Sequence, residues 1–77
     1  MSNYAIKSNQ RNGGEYCDFE VNGKKYYADK AYVPFCGEET MIFAYDEDGS
    51  IDWTDLYCDR SGKSLADCID EFIDSMI

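Results

Sequence analysis

The sequence predicts an α+β domain in which a single C-terminal amphipathic helix packs on one face of an antiparallel sheet of about four strands. Three observations predict this class: an Asn-Gly pair between two β-prone runs, a second pair of such runs around an acidic loop, and a helical apolar stripe near the C-terminal end. The 77 residues suffice for one modest core, and 44% of them are hydrophobic, so we expect residues 1–77 to form one small domain.

The N-terminal half predicts a short strand followed by a hairpin. Tyr4 and Ile6 alternate with polar neighbours, which predicts a first strand that ends at the loop 9–14. Asn22-Gly23 is the strongest short hairpin signal, because both central residues of a type I′ turn take positive φ. A two-residue turn predicts the strand pairing, listed from the turn outward: Val21 with Lys24, Glu20 with Lys25, Phe19 with Tyr26, Asp18 with Tyr27 and Cys17 with Ala28.

A connection and a second hairpin follow. Pro34 interrupts the strand ladder, so we expect Val33 to Glu39 to connect the two hairpins, with a turn at Gly37. The β-prone runs 40–45 and 51–58 flank the acidic loop 46–50 and predict the second hairpin.

The last segment predicts a helix. Ser64 and Asp67 are three residues apart and resemble a capping box, with Asp in the place usual for Glu or Gln. The helix is therefore expected to begin at about Leu65. Its apolar stripe follows helical spacing: Leu65, Cys68, Ile69, Phe72, Ile73 and Met76.

Charge is divided unevenly along the chain, whose formal net charge is −9. Residues 1–36 carry 5 basic and 4 acidic side chains, whereas residues 37–77 carry 2 and 12. A surface that concentrates negative charge attracts cationic partners and repels nucleic acid and anionic lipid. We therefore expect a basic, nucleic-acid-binding protein as the partner, with no direct contact to nucleic acid or membrane.

Two sets of carboxylates are the acidic candidates for partner binding. The helix face opposite the apolar stripe carries Asp67, Asp70, Glu71 and Asp74, and the second hairpin carries Asp46, Glu47, Asp48, Asp52 and Asp55, extended by Asp59. Two interpretations stay open. The carboxylates form a solvated surface, or they present negative charge as a nucleic-acid backbone does and occupy a cationic nucleic-acid channel.

Aromatic side chains offer a second candidate surface. Tyr16 and Tyr27 are expected on the sheet face opposite the core of their hairpin, and Trp53 and Tyr57 on one face of their own strand. Tyr27, Trp53 and Tyr57 are candidate anchors for a protein partner, or for a second copy of the chain in a homodimer. The alternatives are an interaction or assembly role for this face and a purely structural role in completing the core.

The sequence contains no recognisable metal-binding or catalytic motif. The loop after Asp46 has Gly49 at its fourth position, whereas an EF-hand loop needs Gly at the sixth. The chain has no His, and its cysteines are too widely spaced for paired zinc ligands: Cys17, Cys36, Cys58 and Cys68. We expect free thiols, no metal, no cofactor and no enzymatic activity, and keep a metal-stabilised domain as an alternative. Without a secretory signal pattern, the expected location is the cytoplasm.

Four stretches carry a resemblance: Glu39-Thr40-Met41-Ile42-Phe43, Asp48-Gly49, Asp52-Trp53 and Leu56-Tyr57. Together they resemble short uncharacterised proteins from phages and mobile elements of Gram-positive bacteria. In size, acidity and lack of a catalytic motif, the chain is also similar to single-domain anti-CRISPR proteins. The resemblance implies a context in which small inhibitor proteins are common. Together with the uneven distribution of charge, it leads to the hypothesis of a phage-encoded inhibitor, of the anti-CRISPR or DNA-mimic type, that acts on a nucleic-acid-binding protein in the host cytoplasm.

Overall fold

A computed structural model describes residues 4–9, 14–35 and 37–76 and has the α+β architecture that the sequence predicts. Over these residues the sheet has five antiparallel strands in the order β1-β2-β3-β4-β5, so each strand pairs with its neighbour along the chain. The strands are β1 Lys7–Asn9, β2 Gly14–Val21, β3 Lys24–Val33, β4 Gly37–Tyr45 and β5 Ile51–Asp59, and the helix is α1 Leu65–Met76. The predicted class is confirmed, and the sheet has five strands where about four were expected.

The register predicted for the first hairpin is confirmed in full. All five expected residue pairs of β2 and β3 occur, from Val21 with Lys24 to Cys17 with Ala28. Asn22 has φ 53° and Gly23 has φ 83°, the positive values that a type I′ turn requires.

The first strand lies later in the chain than predicted. It spans Lys7–Asn9 rather than the segment around Tyr4 and Ile6, and the expected loop contains residues 10–13, which lie outside the described part. The Tyr4 ring is partly buried against the core and contacts Phe19 edge to face at 6.2 Å. The Ile6 N–H donates to the Tyr4 carbonyl at 2.9 Å, so this segment makes a local backbone hydrogen bond ahead of the strand.

The connection between β3 and β4 is shorter than predicted. Val33 already pairs with Gly37, so β4 begins inside the segment 33–39 that was expected to be a loop. The tight reversal requires positive φ at Gly37 (89°) and also at Phe35 (69°), whose ring is fully exposed. Cys36 of this turn lies outside the described residues.

The core lies between α1 and one face of the sheet. Ser64 Oγ accepts a hydrogen bond from the Asp67 backbone N–H at 3.2 Å, and the helix begins at Leu65 as predicted. The buried cluster consists of Cys17, Phe19, Tyr26, Ala28, Ile42, Leu65, Ile69 and Phe72. Cys17, Cys58 and Cys68 are free thiols, which agrees with the expectation for the described cysteines.

Candidate functional site

The sheet face turned away from α1 is the candidate site, and we call it the open face. Strand alternation separates its residues from the buried cluster, because successive side chains of a strand point to opposite sides. Its principal residues come from four strands: Tyr16, Asp18, Tyr27, Asp29, Glu39, Met41, Phe43, Tyr45 and Trp53. The open face therefore combines aromatic rings with carboxylates.

Four rings form an aromatic cluster on the open face: Tyr16, Tyr27, Phe43 and Trp53. Phe43 and Trp53 lie edge to face, with ring centroids 5.0 Å apart. Tyr27 stacks on Phe43 at 6.4 Å and contacts Tyr16 at 6.2 Å. Phe43 is buried beneath its neighbours, whereas Trp53 remains 66% exposed. The cluster thus holds a large exposed aromatic side chain against a buried ring.

A bulge in β5 decides which aromatic residues reach this face. Ile42 pairs with Tyr57 and Ala44 with Asp52, so β5 carries three extra residues between these two pairs. An odd number of extra residues reverses the alternation of side chains along the strand. The expectation that Trp53 and Tyr57 share one face is therefore wrong.

Tyr57 belongs to the core side of the sheet. Its ring contacts Phe72 of α1 edge to face at 6.2 Å, and its hydroxyl donates to Glu71 at 3.2 Å. Of the three predicted aromatic candidates, the structure brings Tyr27 and Trp53 together, with ring centroids 6.4 Å apart, and places Tyr57 beneath the helix.

A shallow groove of about 210 Å³ lies beside Trp53, and we call it the open-face groove. Its lining comes from three strands: Asp29, Ala31, Glu39, Met41, Phe43 and Trp53. Sequence reasoning named only Trp53 among these six residues as a candidate. The others become visible as a group only when the pairing of β3 with β4 is known, since that register places Asp29 opposite Met41 and Ala31 opposite Glu39.

Two tyrosine hydroxyls orient carboxylates on the open face. Tyr27 Oη donates to Asp29 Oδ2 at 2.8 Å, and Tyr45 Oη donates to Asp18. Burial and the hydrogen bond to Asp18 raise the pKa of Tyr45 to about 12, and burial followed by the bond to Asp29 raises the pKa of Tyr27. Both phenols are therefore neutral hydrogen-bond donors at physiological pH.

The acidic stripe of α1 is divided between structural and exposed positions. Tyr4 Oη donates to Asp70 at 2.6 Å on one flank of the helix, while Glu71 forms an ion pair with Lys63 on the other. Asp67 and Asp74 are exposed. Two of the four predicted helix carboxylates thus have partners within the chain, and three of the four are exposed: Asp67, Glu71 and Asp74.

The acids of the second hairpin form an exposed turn. Asp48 accepts hydrogen bonds from the Ser50 N–H at 3.0 Å and the Ser50 hydroxyl at 2.6 Å, and the bonds from Ser50 lower the pKa of Asp48. The predicted carboxylates of this hairpin are all exposed: Asp46, Glu47, Asp48, Asp52 and Asp55. Within the described ranges, no group of three or more Cys, Asp or Glu side chains could hold a metal ion.

The remaining predicted carboxylate, Asp59, organises the connection into α1. Its Oδ1 accepts the Ser61 N–H at 2.8 Å and the Ser61 hydroxyl at 2.6 Å. Its other oxygen lies 3.7 Å from Lys63 Nζ. Asp59 thus acts in the fold at the helix entrance, together with Lys63 and Glu71.

Comparison with known proteins adds no functional information to this geometry. No family model, no curated protein and no solved structure matches the chain. Over the described part of the chain, no helix has the length and apolar character needed to cross a membrane.

The ion pair of Glu71 predicts a pH-dependent contribution to stability. The hydrogen bond from Lys63 holds the pKa of Glu71 below its ordinary value of 4.5, so the charged carboxylate favours the folded state. This contribution is complete above pH 4.5 and is lost as the pH falls through the lower folded-state pKa. We expect Glu71→Gln to lower Tm slightly at neutral pH, and the difference from the unmodified protein to vanish in acid.

Thermal unfolding monitored by circular dichroism between neutral and acid pH tests this expectation. Asp74→Asn is the matched control, because it removes the same charge from an exposed position near the negative end of the helix dipole, where loss of charge is neutral or stabilising. A Glu71→Gln difference that stays constant across the pH range contradicts the prediction.

Proposed function

We propose that this chain is a non-enzymatic acidic protein-binding module whose open face contacts a basic, nucleic-acid-binding protein. The single observation that carries the proposal is the aromatic cluster, in which Trp53 stays 66% exposed above a buried Phe43. Exposed Trp and Tyr side chains with a charged surround are typical of the anchor regions of protein interfaces. The net charge of −9 favours encounter with a cationic partner.

The same chemistry argues against direct binding of nucleic acid. Aromatic sheets bind single-stranded bases where a positive groove accompanies the rings. Here the open-face groove is lined by the carboxylates of Asp29 and Glu39, which repel phosphate. A protein that itself binds nucleic acid supplies the cationic surface that the described lining of this groove lacks.

The resemblance to phage and mobile-element proteins supports a specific setting for this activity. In that setting the chain is an inhibitor that occupies the nucleic-acid channel of a host defence protein in the bacterial cytoplasm. An acidic module suits this role, because a cationic channel binds concentrated negative charge.

A second candidate is a contact made by charge alone, as in nucleic-acid mimicry by the helix and the second hairpin. It is favoured by the exposure of Asp67 and Asp74 on α1 and of the turn 46–48. The two candidates differ in their response to salt, because screening weakens exposed charge contacts but not the burial of aromatic surface.

Capture of the partner from bacterial lysate on the tagged chain, with washes in low and then high salt, tests the proposal. We expect mass spectrometry to identify a basic nucleic-acid-binding protein that is retained through the high-salt wash. Elution of that protein by salt would favour the charge-only candidate. The absence of any nucleic-acid-binding protein from the captured material would contradict both.

A charge-reversal variant serves as the control for this experiment. The double variant Asp67→Lys and Asp74→Lys leaves the contacts of Asp70 with Tyr4 and of Glu71 with Lys63 in place, so the fold is expected to persist. It should reduce capture in low salt only modestly if the open face is the contact surface. Complete loss of capture would assign the contact to the helix.

A further inference from the structure

The open-face groove combines an aromatic wall with two carboxylates at one point of the surface. Asp29 and Met41 form one cross-strand pair, and Ala31 and Glu39 form the next. The bulge in β5 brings Trp53 against this pair of strands, where its ring meets Phe43. The groove therefore has a short side chain at Ala31, a flexible thioether at Met41 and an indole beside them.

The groove carries negative charge, and an ion pair within the chain neutralises part of it. Among the residues that the structure describes, its lining includes two carboxylates and no Lys or Arg. Arg60 Nε donates to Glu39 Oε2 at 2.6 Å, and the Arg60 side chain is 65% exposed. Glu39, whose side chain is 18% exposed, is thus already placed to accept a guanidinium, and a second guanidinium would share its carboxylate with Arg60 or replace it there.

Asp29 supplies the second acceptor. One of its oxygens accepts from the Tyr27 hydroxyl at 2.8 Å, which orients the carboxylate without neutralising it. A carboxylate has about four acceptor positions, so the bond from Tyr27 leaves capacity for a cationic donor.

We propose that the open-face groove binds an arginine side chain of the partner, an inference that rests on the proposed function. The planar guanidinium stacks against Trp53 and donates to Asp29 and Glu39. Arginine fits this combination better than lysine, because its guanidinium is weakly hydrated, stacks on aromatic faces and offers donors in a fixed fork. A nucleic-acid channel is rich in such side chains.

The fluorescence of Trp53 tests the inference directly, because it is the one tryptophan of the chain. The probe is a blocked Gly-Arg-Gly peptide, and its matched control is the same peptide with citrulline, which keeps the shape of arginine but lacks its charge. We expect a saturable change of fluorescence with the arginine peptide and an apparent Kd at least about 5-fold weaker with citrulline.

Two groove variants localise the binding. Asp29→Asn and Glu39→Gln retain the size of each side chain, and the amide oxygen introduced by Asp29→Asn can still accept from Tyr27, so both variants are expected to fold. Each variant should raise the Kd for the arginine peptide about 5-fold. Asp74→Asn, which makes the same change of charge on the helix, should leave that Kd unaltered. Equal responses to the arginine and citrulline peptides, or unaltered affinity in both groove variants, would overturn the inference.

The peptide titration and the capture experiment separate the inference from the proposed function. Salt-resistant capture of a basic partner without an arginine-specific fluorescence response would refute the groove as an arginine site. The proposed protein-binding function would still be supported. An arginine-specific response without any captured nucleic-acid-binding protein would support the groove as an arginine site and refute the proposed class of partner.

Discussion

Replacing Trp53 with alanine is expected to abolish retention of the basic partner while the domain stays folded. Trp53 is the most exposed ring of the aromatic cluster, and an interface anchor of this kind contributes at least about 2 kcal/mol, or roughly 30-fold in Kd. The fold loses mainly the edge-to-face contacts with Phe43 and Tyr27, worth about 0.5–1.5 kcal/mol each. Calorimetric titration of the purified partner, with circular dichroism of the variant, measures both effects.

Phe35→Ala is the matched control for this prediction. Phe35 is also an exposed aromatic residue, but it lies in the turn between β3 and β4 and does not line the open-face groove. Its removal should leave partner affinity unaltered. Undiminished binding by Trp53→Ala would refute the assignment of the contact to the open face, and loss of binding by Phe35→Ala would move the contact to that turn.

Replacing Phe72 with alanine is expected to remove most of the free energy of unfolding of the domain. Phe72 is 6% exposed and its ring contacts Phe19, Tyr26 and Tyr57 at centroid distances of 6.1, 5.3 and 6.2 Å. Truncating such a side chain costs about 3–5 kcal/mol. Small domains have total stabilities near the lower end of about 5–15 kcal/mol, so this loss removes most of the margin.

Urea denaturation followed by circular dichroism measures this loss, with two further variants as references. Phe72→Leu keeps much of the apolar volume and should retain a cooperative transition at a lower midpoint. Met76→Ala truncates a side chain on the same helix that is 41% exposed, and should cost less than about 1 kcal/mol. A Phe72→Ala midpoint close to that of Met76→Ala would contradict the assignment of Phe72 to the centre of the core.

Local signals in the sequence predicted several elements correctly. Asn22-Gly23 determines the turn and thereby the register of β2 with β3, and Ser64 determines the start of α1. These features depend on φ preferences and hydrogen bonds within a few residues, which are readable directly from the residue types. The β4–β5 hairpin around the turn 46–50 was predicted for the same reason.

The candidate surface was only partly predictable. Trp53 and Tyr27 were recognised as candidates, but the groove residues Asp29 and Glu39 were not. They lie on separate strands, and the register between those strands follows from the short turn at Phe35, whose positive φ is unusual for a large side chain. No residue pattern within either strand signals that the two carboxylates share one groove.

Residue order alone specified the class of the fold, one hairpin register, the helix and the excess of negative charge, because each follows from periodicity or from the chemistry of neighbouring residues. Tertiary packing decided the rest. Three extra residues in β5 place Tyr57 beneath α1 and Trp53 on the open face, and contacts with Tyr4 and Lys63 give Asp70 and Glu71 partners within the chain. These outcomes depend on competition among residues far apart in the chain for burial and for hydrogen-bond partners, which alternation within a strand or helix cannot encode.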